Sequence, residues 1–286
     1  MSGRLALRLD GDRAVEVHRA GGGLLLRYVY RPDTPGNESP RPYAHPVNTL
    51  AGELLTNFRP NDHPWHHGLS FTINCLAGFN FWGGVSYRPA DGYRWRQDHG
   101  VQRHTGWMEQ TAARLVHTLE WRVGATDELL LEEKRTLEFA IVALHAWTLR
   151  WTAVLRNVSD RPLPLGQYHS THGLAGSHYS GLQFRGARDL IDDHGDAAVG
   201  IFADGGLEGE KAVHGAAGRW MEWRGQKDGS QQRVAIRFAS NNGEPVHWFV
   251  RRHNPLAALP FQYEDELVLA PGAALEIDHQ LTFADA

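Results

Sequence analysis

Alternation of apolar and polar residues, sustained over segment after segment, constrains this chain more than any other feature. The longest run, His145 to Asn157, puts Trp147, Leu149, Trp151, Ala153 and Leu155 on one side against Thr148, Arg150, Thr152 and Arg156 on the other. The same period groups Leu115, His117, Leu119, Trp121 and Val123. It recurs in Leu5, Leu7 and Leu9, in Val234, Ile236 and Phe238, and in Leu275, Ile277 and His279. Side chains of a strand point alternately to opposite faces, so this period means strands with one buried and one wetter face. Turn-forming residues separate the runs: Gly21-Gly22-Gly23, Asn157 to Pro164, Asp204-Gly205-Gly206, Asn241-Asn242-Gly243 and Pro271-Gly272. No segment holds a helical period beyond about two turns, and only Ala187 to Asp193 leaves room for one short helical turn. The Pro-rich stretch Arg31 to Pro46 reads as a long loop over one sheet, too short to link two domains. Many strands with short connections predict an all-β fold, a large two-sheet antiparallel β-sandwich forming one domain over residues 1–286.

Composition narrows the function. The 29 basic and 33 acidic residues nearly balance, and no basic tract interrupts them, so nucleic acid is not an expected partner. One cysteine, Cys75, rules out an internal disulfide framework. No run of about 18 apolar residues occurs, so no membrane-spanning helix is expected. The opening residues alternate as a strand does rather than forming a charged-then-apolar leader, and the expected location is the cytoplasm. The sequence does not give the oligomeric state.

The 17 histidines and 10 tryptophans supply the chemistry. Histidine exchanges protons near neutral pH, and tryptophan offers a broad apolar face with one N–H donor, suited to sugar rings as well as to cores. The densest constellation is Asn61-Asp62-His63-Pro64-Trp65-His66-His67-Gly68, where a turn delivers three imidazoles and a carboxylate ahead of an apolar strand. Pro64 favours an extended His63. A second cluster, Gly166-Gln167-Tyr168-His169-Ser170-Thr171-His172-Gly173 followed by His178 and Tyr179, comes after the longest strand. A third, His247-Trp248-Phe249-Val250-Arg251-Arg252-His253, brings two guanidiniums suited to a ligand oxygen. No Gly-x-Ser-x-Gly hydrolase motif and no phosphate-cradling glycine loop is present. No cofactor is assigned, and no residue is assigned as a metal ligand. A metal-dependent oxidoreductase using His63, His66 or His67 with Asp62 stays open as an alternative.

The segment Pro42-Tyr43 to His45-Pro46, the block Asp62-His63-Pro64-Trp65-His66-His67-Gly68-Leu69 and the element Asn80-Phe81-Trp82-Gly83 resemble the DUF6807 family. Trp65 stands where that family often has a histidine, and Gly78-Phe79-Asn80 departs from its usual order. The family also circulates under the label methane oxygenase PmoA, which sits badly with a chain lacking spanning helices. A second resemblance is to the galactose mutarotase-like supersandwich, carried by His63-Pro64-Trp65-His66-His67-Gly68, Gln167-Tyr168-His169 and the Pro-Gly turn at Pro271-Gly272. It implies a sugar site at which His63, His67 and His169 are the catalytic proton carriers. It also implies substrate contacts from His45, Asp62, Trp65, His66, Trp82, His172, Arg185, Arg251 and His253. Phe249-Val250-Arg251-Arg252 holds no carboxylate where a mutarotase places its base, which leaves Glu264, Glu53 or Asp62 to supply one. The expectation is a carbohydrate-active lyase, hydrolase or isomerase with a small-molecule carbohydrate as its partner. A non-catalytic carbohydrate-binding module is the other alternative.

Overall fold

The alternating runs become strands of two large antiparallel sheets in the computed structural model, which describes residues 4–166 and 177–286. The first sheet has eight strands in the order Leu5–Asp10, Ala14–Arg19, Leu24–Val29, Tyr43–Val47, Leu69–Thr72, Gly181–Arg185, Leu256–Leu259 and Phe249–Arg251. The second has ten. Its long central strands are Ala274–Asp285, Ala146–Asn157, Leu129–Ala143 and Arg114–Val123, with Gly100–Gln110 along one edge. On the far side, Arg233–Ser240 and Trp220–Lys227 continue it. The all-β, two-sheet expectation therefore holds.

The sheets face each other across one apolar core. The Trp147-to-Leu155 row, read from alternation, is fully or almost fully buried, while Arg150 on the opposite face is exposed. Rings from the two sheets meet: Tyr28 against Trp151 at 6.1 Å, Phe71 against Trp121 at 5.9 Å and Phe184 against Phe238 at 5.5 Å. Burying each such side chain contributes roughly 1.5–3 kcal/mol. A polar network lies within this core. Glu133 and Arg135, both fully buried, pair at 2.6 Å, and Arg135 donates to the Tyr28 hydroxyl at 3.1 Å. Trp121 Nε1 donates to Glu133 at 2.8 Å. Burial pushes the Tyr28 phenol up to about 12. Two strands away in the same sheet, on Ala274–Asp285, His279 is also fully buried, and neither ring nitrogen has a hydrogen-bond partner among the described residues.

Two local expectations are corrected. Ala187 to Asp193 forms no helical turn. It turns at Arg188 and Asp189 and then adds the short strand Leu190–Ile191 beside Trp220–Lys227, with Asp189 bonded to the buried Lys227 ammonium. The helical turn occurs instead at Glu210–Val213. The Arg31 to Pro46 stretch is a covering loop only in its first part, because Tyr43–Val47 joins the eight-stranded sheet.

The face of the eight-stranded sheet that turns away from the core positions the site. Leu182 and Phe184 point into the core, so Gln183 and Arg185 point outward. Strand register then sets Ser70, Gln183, Ala258 and Phe249 in one cross-strand row. Arg185, Leu256 and Arg251 form the next. Gly68 adopts φ 56° where the strand Leu69–Thr72 begins, and a Cβ there would overlap the Ala44 carbonyl, which is why the two strands can close together.

Candidate functional site

The histidine block is delivered on a turn, as its sequence led us to expect, but the turn is double. Residues 61–65 make two successive turns, closed by His63 N–H to Pro60 O at 3.1 Å and His66 N–H to His63 O at 3.0 Å. Residues three apart therefore share a side, and the His63 and His66 rings stack at 4.9 Å with an interplanar angle of 20°. His67, one residue on, points the opposite way.

Asp62 organises the turn. Its carboxylate accepts from Arg185 Nη2 at 2.9 and 3.1 Å and from His63 Nδ1 at 3.0 Å, and it also takes Arg188. Burial alone would raise the Asp62 pKa, but the bonds from His63 and Arg185 outweigh it and hold the group at about 2. Arg185 Nη1 also reaches His66 Nδ1 at 3.3 Å. Burial, and after it the Arg185 charge, push the His66 imidazole well below its ordinary value. Beneath the turn, the fully buried Arg41 bonds the carbonyls of Glu38, Ser39 and Trp65 at 2.9, 3.0 and 2.8 Å, fixing the backbone that carries Trp65.

These side chains border a cavity of about 350 Å³ lined by His63, Trp65, His66, Trp82, Tyr93, Tyr179, Phe249 and Leu256. That is the lower end of the range for small-molecule pockets. Phe249 and Leu256 form its floor on the sheet. Trp82 stands edge-on to His66 at 5.7 Å and against Tyr179 at 4.8 Å. Trp65 packs on Gly83 and Gly84, both at positive φ, and a Cβ on Gly84 would enter the indole. A wider hollow of about 810 Å³, lined in part by Arg88, Trp95 and His99, lies across Trp95. It holds neither His63 nor His66, so the smaller cavity is the better candidate.

The expected residues divide into three groups. His63, Trp65, His66 and Trp82 line the cavity, with Asp62 and Arg185 directly behind them. His67, His45, Arg251 and His253 are not brought to it. His67 is fully buried beside Tyr43 and Phe58, with Nε2 bonded to Glu38 at 2.9 Å, because it begins the approach to the strand on the side opposite His66. Burial lowers its pKa to about 4 despite the Glu38 hydrogen bond. His45 bonds Thr56 at 2.9 Å and stacks on Phe58. Arg251 bonds His214 at 2.9 Å and faces Glu210, while His253 is exposed near Ala197. His169 and His172 lie outside the described residues.

Sequence reasoning missed Glu38, Arg41, Tyr93 and Leu256. The first two sit in a loop without period, and Leu256 belongs to the uniformly apolar strand Leu256–Leu259, whose sequence does not mark which face each residue takes. Among the described residues, no group of three or more His, Cys, Asp or Glu side chains is placed to hold a metal ion. No helix among them is long and apolar enough to cross a membrane.

The model of DUF6807, a family of unknown function, matches residues 15–286. The chain belongs to DUF6807. No curated protein matches this DUF6807 chain. Among solved structures, a galactose mutarotase related enzyme from Lactobacillus acidophilus aligns over 98% of this chain and 97% of its own. The sequence identity is 9% and the TM-score 0.36, an overlap too loose to speak to the substrate or the residue roles of this DUF6807 member.

Proposed function

We propose that the chain binds a carbohydrate or sugar-like polyol in the cavity between Trp65, Trp82 and Tyr179, and acts on it by histidine acid–base chemistry. The supporting observation is the pairing of an aromatic enclosure with two imidazoles on one wall. Apolar sugar faces stack on aromatic rings, and the hydroxyl groups need fixed polar partners. His63 is the proton carrier in this reading. The Asp62 carboxylate can only accept, so His63 donates Nδ1–H to it, and Nε2 is left with the lone pair a general base needs. Proton transfer at a sugar carbon or hydroxyl is the step shared by isomerase, lyase and hydrolase chemistry. The reading therefore names the proton carrier before the reaction.

Titration with a panel of neutral sugars, keto-sugars and glycosides, followed by tryptophan fluorescence, tests the reading. Binding that Trp82→Ala abolishes, with turnover that His63→Gln abolishes, supports it. A panel without any response removes the carbohydrate assignment. Tight binding without turnover selects a non-catalytic binding module.

A further inference from the structure

We propose that Arg185 is a positioning residue that locks His66 in the neutral tautomer with its proton on Nε2, giving the cavity a fixed N–H donor for a ligand oxygen. The reasoning is a donor count. A guanidinium carries five N–H donors and no acceptor, so the 3.3 Å contact of Arg185 Nη1 requires a lone pair on His66 Nδ1. A neutral imidazole then keeps its single proton on Nε2. That nitrogen has no protein partner among the described residues, and its ring walls the cavity. Arg185 is itself almost fully buried and held by both Asp62 oxygens, so the donor cannot swing away cheaply.

The electrostatic surroundings act in the same sense. Arg185, His63, Arg41 and His67 all face His66, and the compensating Asp62 carboxylate lies beyond the Arg185 guanidinium. A proton added to His66 would be buried among these groups without a carboxylate of its own.

Asp62 thereby gives two stacked rings opposite polarity. His63, donating Nδ1–H to Asp62, offers a lone pair on Nε2, while His66, reached through Arg185, offers an N–H. A ligand spanning both gives its proton to His63 and sets on His66 the oxygen that gains negative charge, where a fixed neutral donor is most useful. The site accordingly takes a ligand with an oxygen lone pair at His66 and disfavours one with a protonated amine there. This functional meaning rests on the carbohydrate reading, but the tautomer does not.

Long-range nitrogen–proton NMR spectra of ligand-free protein labelled with 15N-histidine decide it, with His66 assigned from His66→Gln. The expected result is an unprotonated Nδ1 and a protonated Nε2, unchanged from about pH 8 to 5, where a free histidine titrates. Arg185→Met should release the ring into tautomer exchange, and Arg185→Lys, which keeps a donor-only cation, should restore the original form. Arg188→Met removes a guanidinium from Asp62 but none from His66 and should leave the tautomer in place. A wild-type His66 protonated on Nδ1, or doubly protonated within that pH range, overturns the proposal. So does an unchanged tautomer in folded Arg185→Met. Should Arg185→Met fail to fold, the wild-type and Arg185→Lys spectra still decide. Because no ligand is present, a failure of every sugar to bind would remove the carbohydrate reading alone.

Discussion

Replacing His279 with leucine should flatten the acid side of the stability curve. His279 sits in the strand Ala274–Asp285 opposite Trp151, is fully buried, and has no hydrogen-bond partner on either nitrogen among the described residues. Burial pushes its pKa down to about 4, with Asp278 opposing weakly. In the unfolded chain the ring takes a proton near its ordinary value of about 6.5. Between those two values the unfolded state binds a proton that the folded state refuses. His279 therefore adds no proton-linked cost above about pH 6.5 and destabilises progressively as the pH falls to about 4. The slope is about 1.4 kcal/mol per pH unit, which over this window sums to roughly 3 kcal/mol. Urea unfolding followed by tryptophan fluorescence at steps across this range measures the slope directly. His279→Leu should lower it by one proton's worth whatever happens to the absolute stability at neutral pH. Parallel curves for the two proteins would refute the reasoning, because they would mean that His279 is protonated equally in both states.

Three further outcomes follow from the geometry. Gly84→Ala should push the Trp65 indole from its seat, costing about 1–3 kcal/mol in thermal unfolding and weakening the proposed sugar binding in the same protein. Glu133→Gln strands the Arg135 charge between the sheets and should cost roughly 3–5 kcal/mol in urea unfolding, more than any exposed ion-pair change in this chain. Asp62 has its pKa lowered to about 2, so its ion pairs stabilise the fold above its ordinary value of 3.8 and lose that contribution as the pH falls toward 2. Asp62→Asn should therefore make stability fall less steeply with pH in that acid window than it does in the wild type, by one carboxylate's share, which circular dichroism under acid titration of the two proteins would register.

Alternation made the sheets legible because burial of one face writes itself into every second residue. The row Trp147, Leu149, Trp151 and the row Leu115, Leu119, Trp121, two strands away, needed no other information. The site was legible in part. Its histidine block and the turn that delivers it were found in the sequence, but the spacing did not show that two successive turns set His63 beside His66 and send His67 toward Glu38. Glu38 and Arg41 could not be found that way, since an irregular loop carries no period and their roles depend on contacts with distant strands. Arg251 and His253 were grouped with the site by their chemistry, yet pairing with the distant His214 and Glu210 engages Arg251 at the sheet edge.

The strand Gly181–Arg185 has one consequence for how such a molecule can change over time. Leu182 and Phe184 serve the core between the sheets, whereas Gln183 and Arg185, buried on the sheet's other face, hold Arg41, Ser70, Asp62 and His66. Under the proposed function, ligand recognition and folding are written in interleaved letters of the same word. New ligands can be explored by editing one set while the other continues to spell the scaffold.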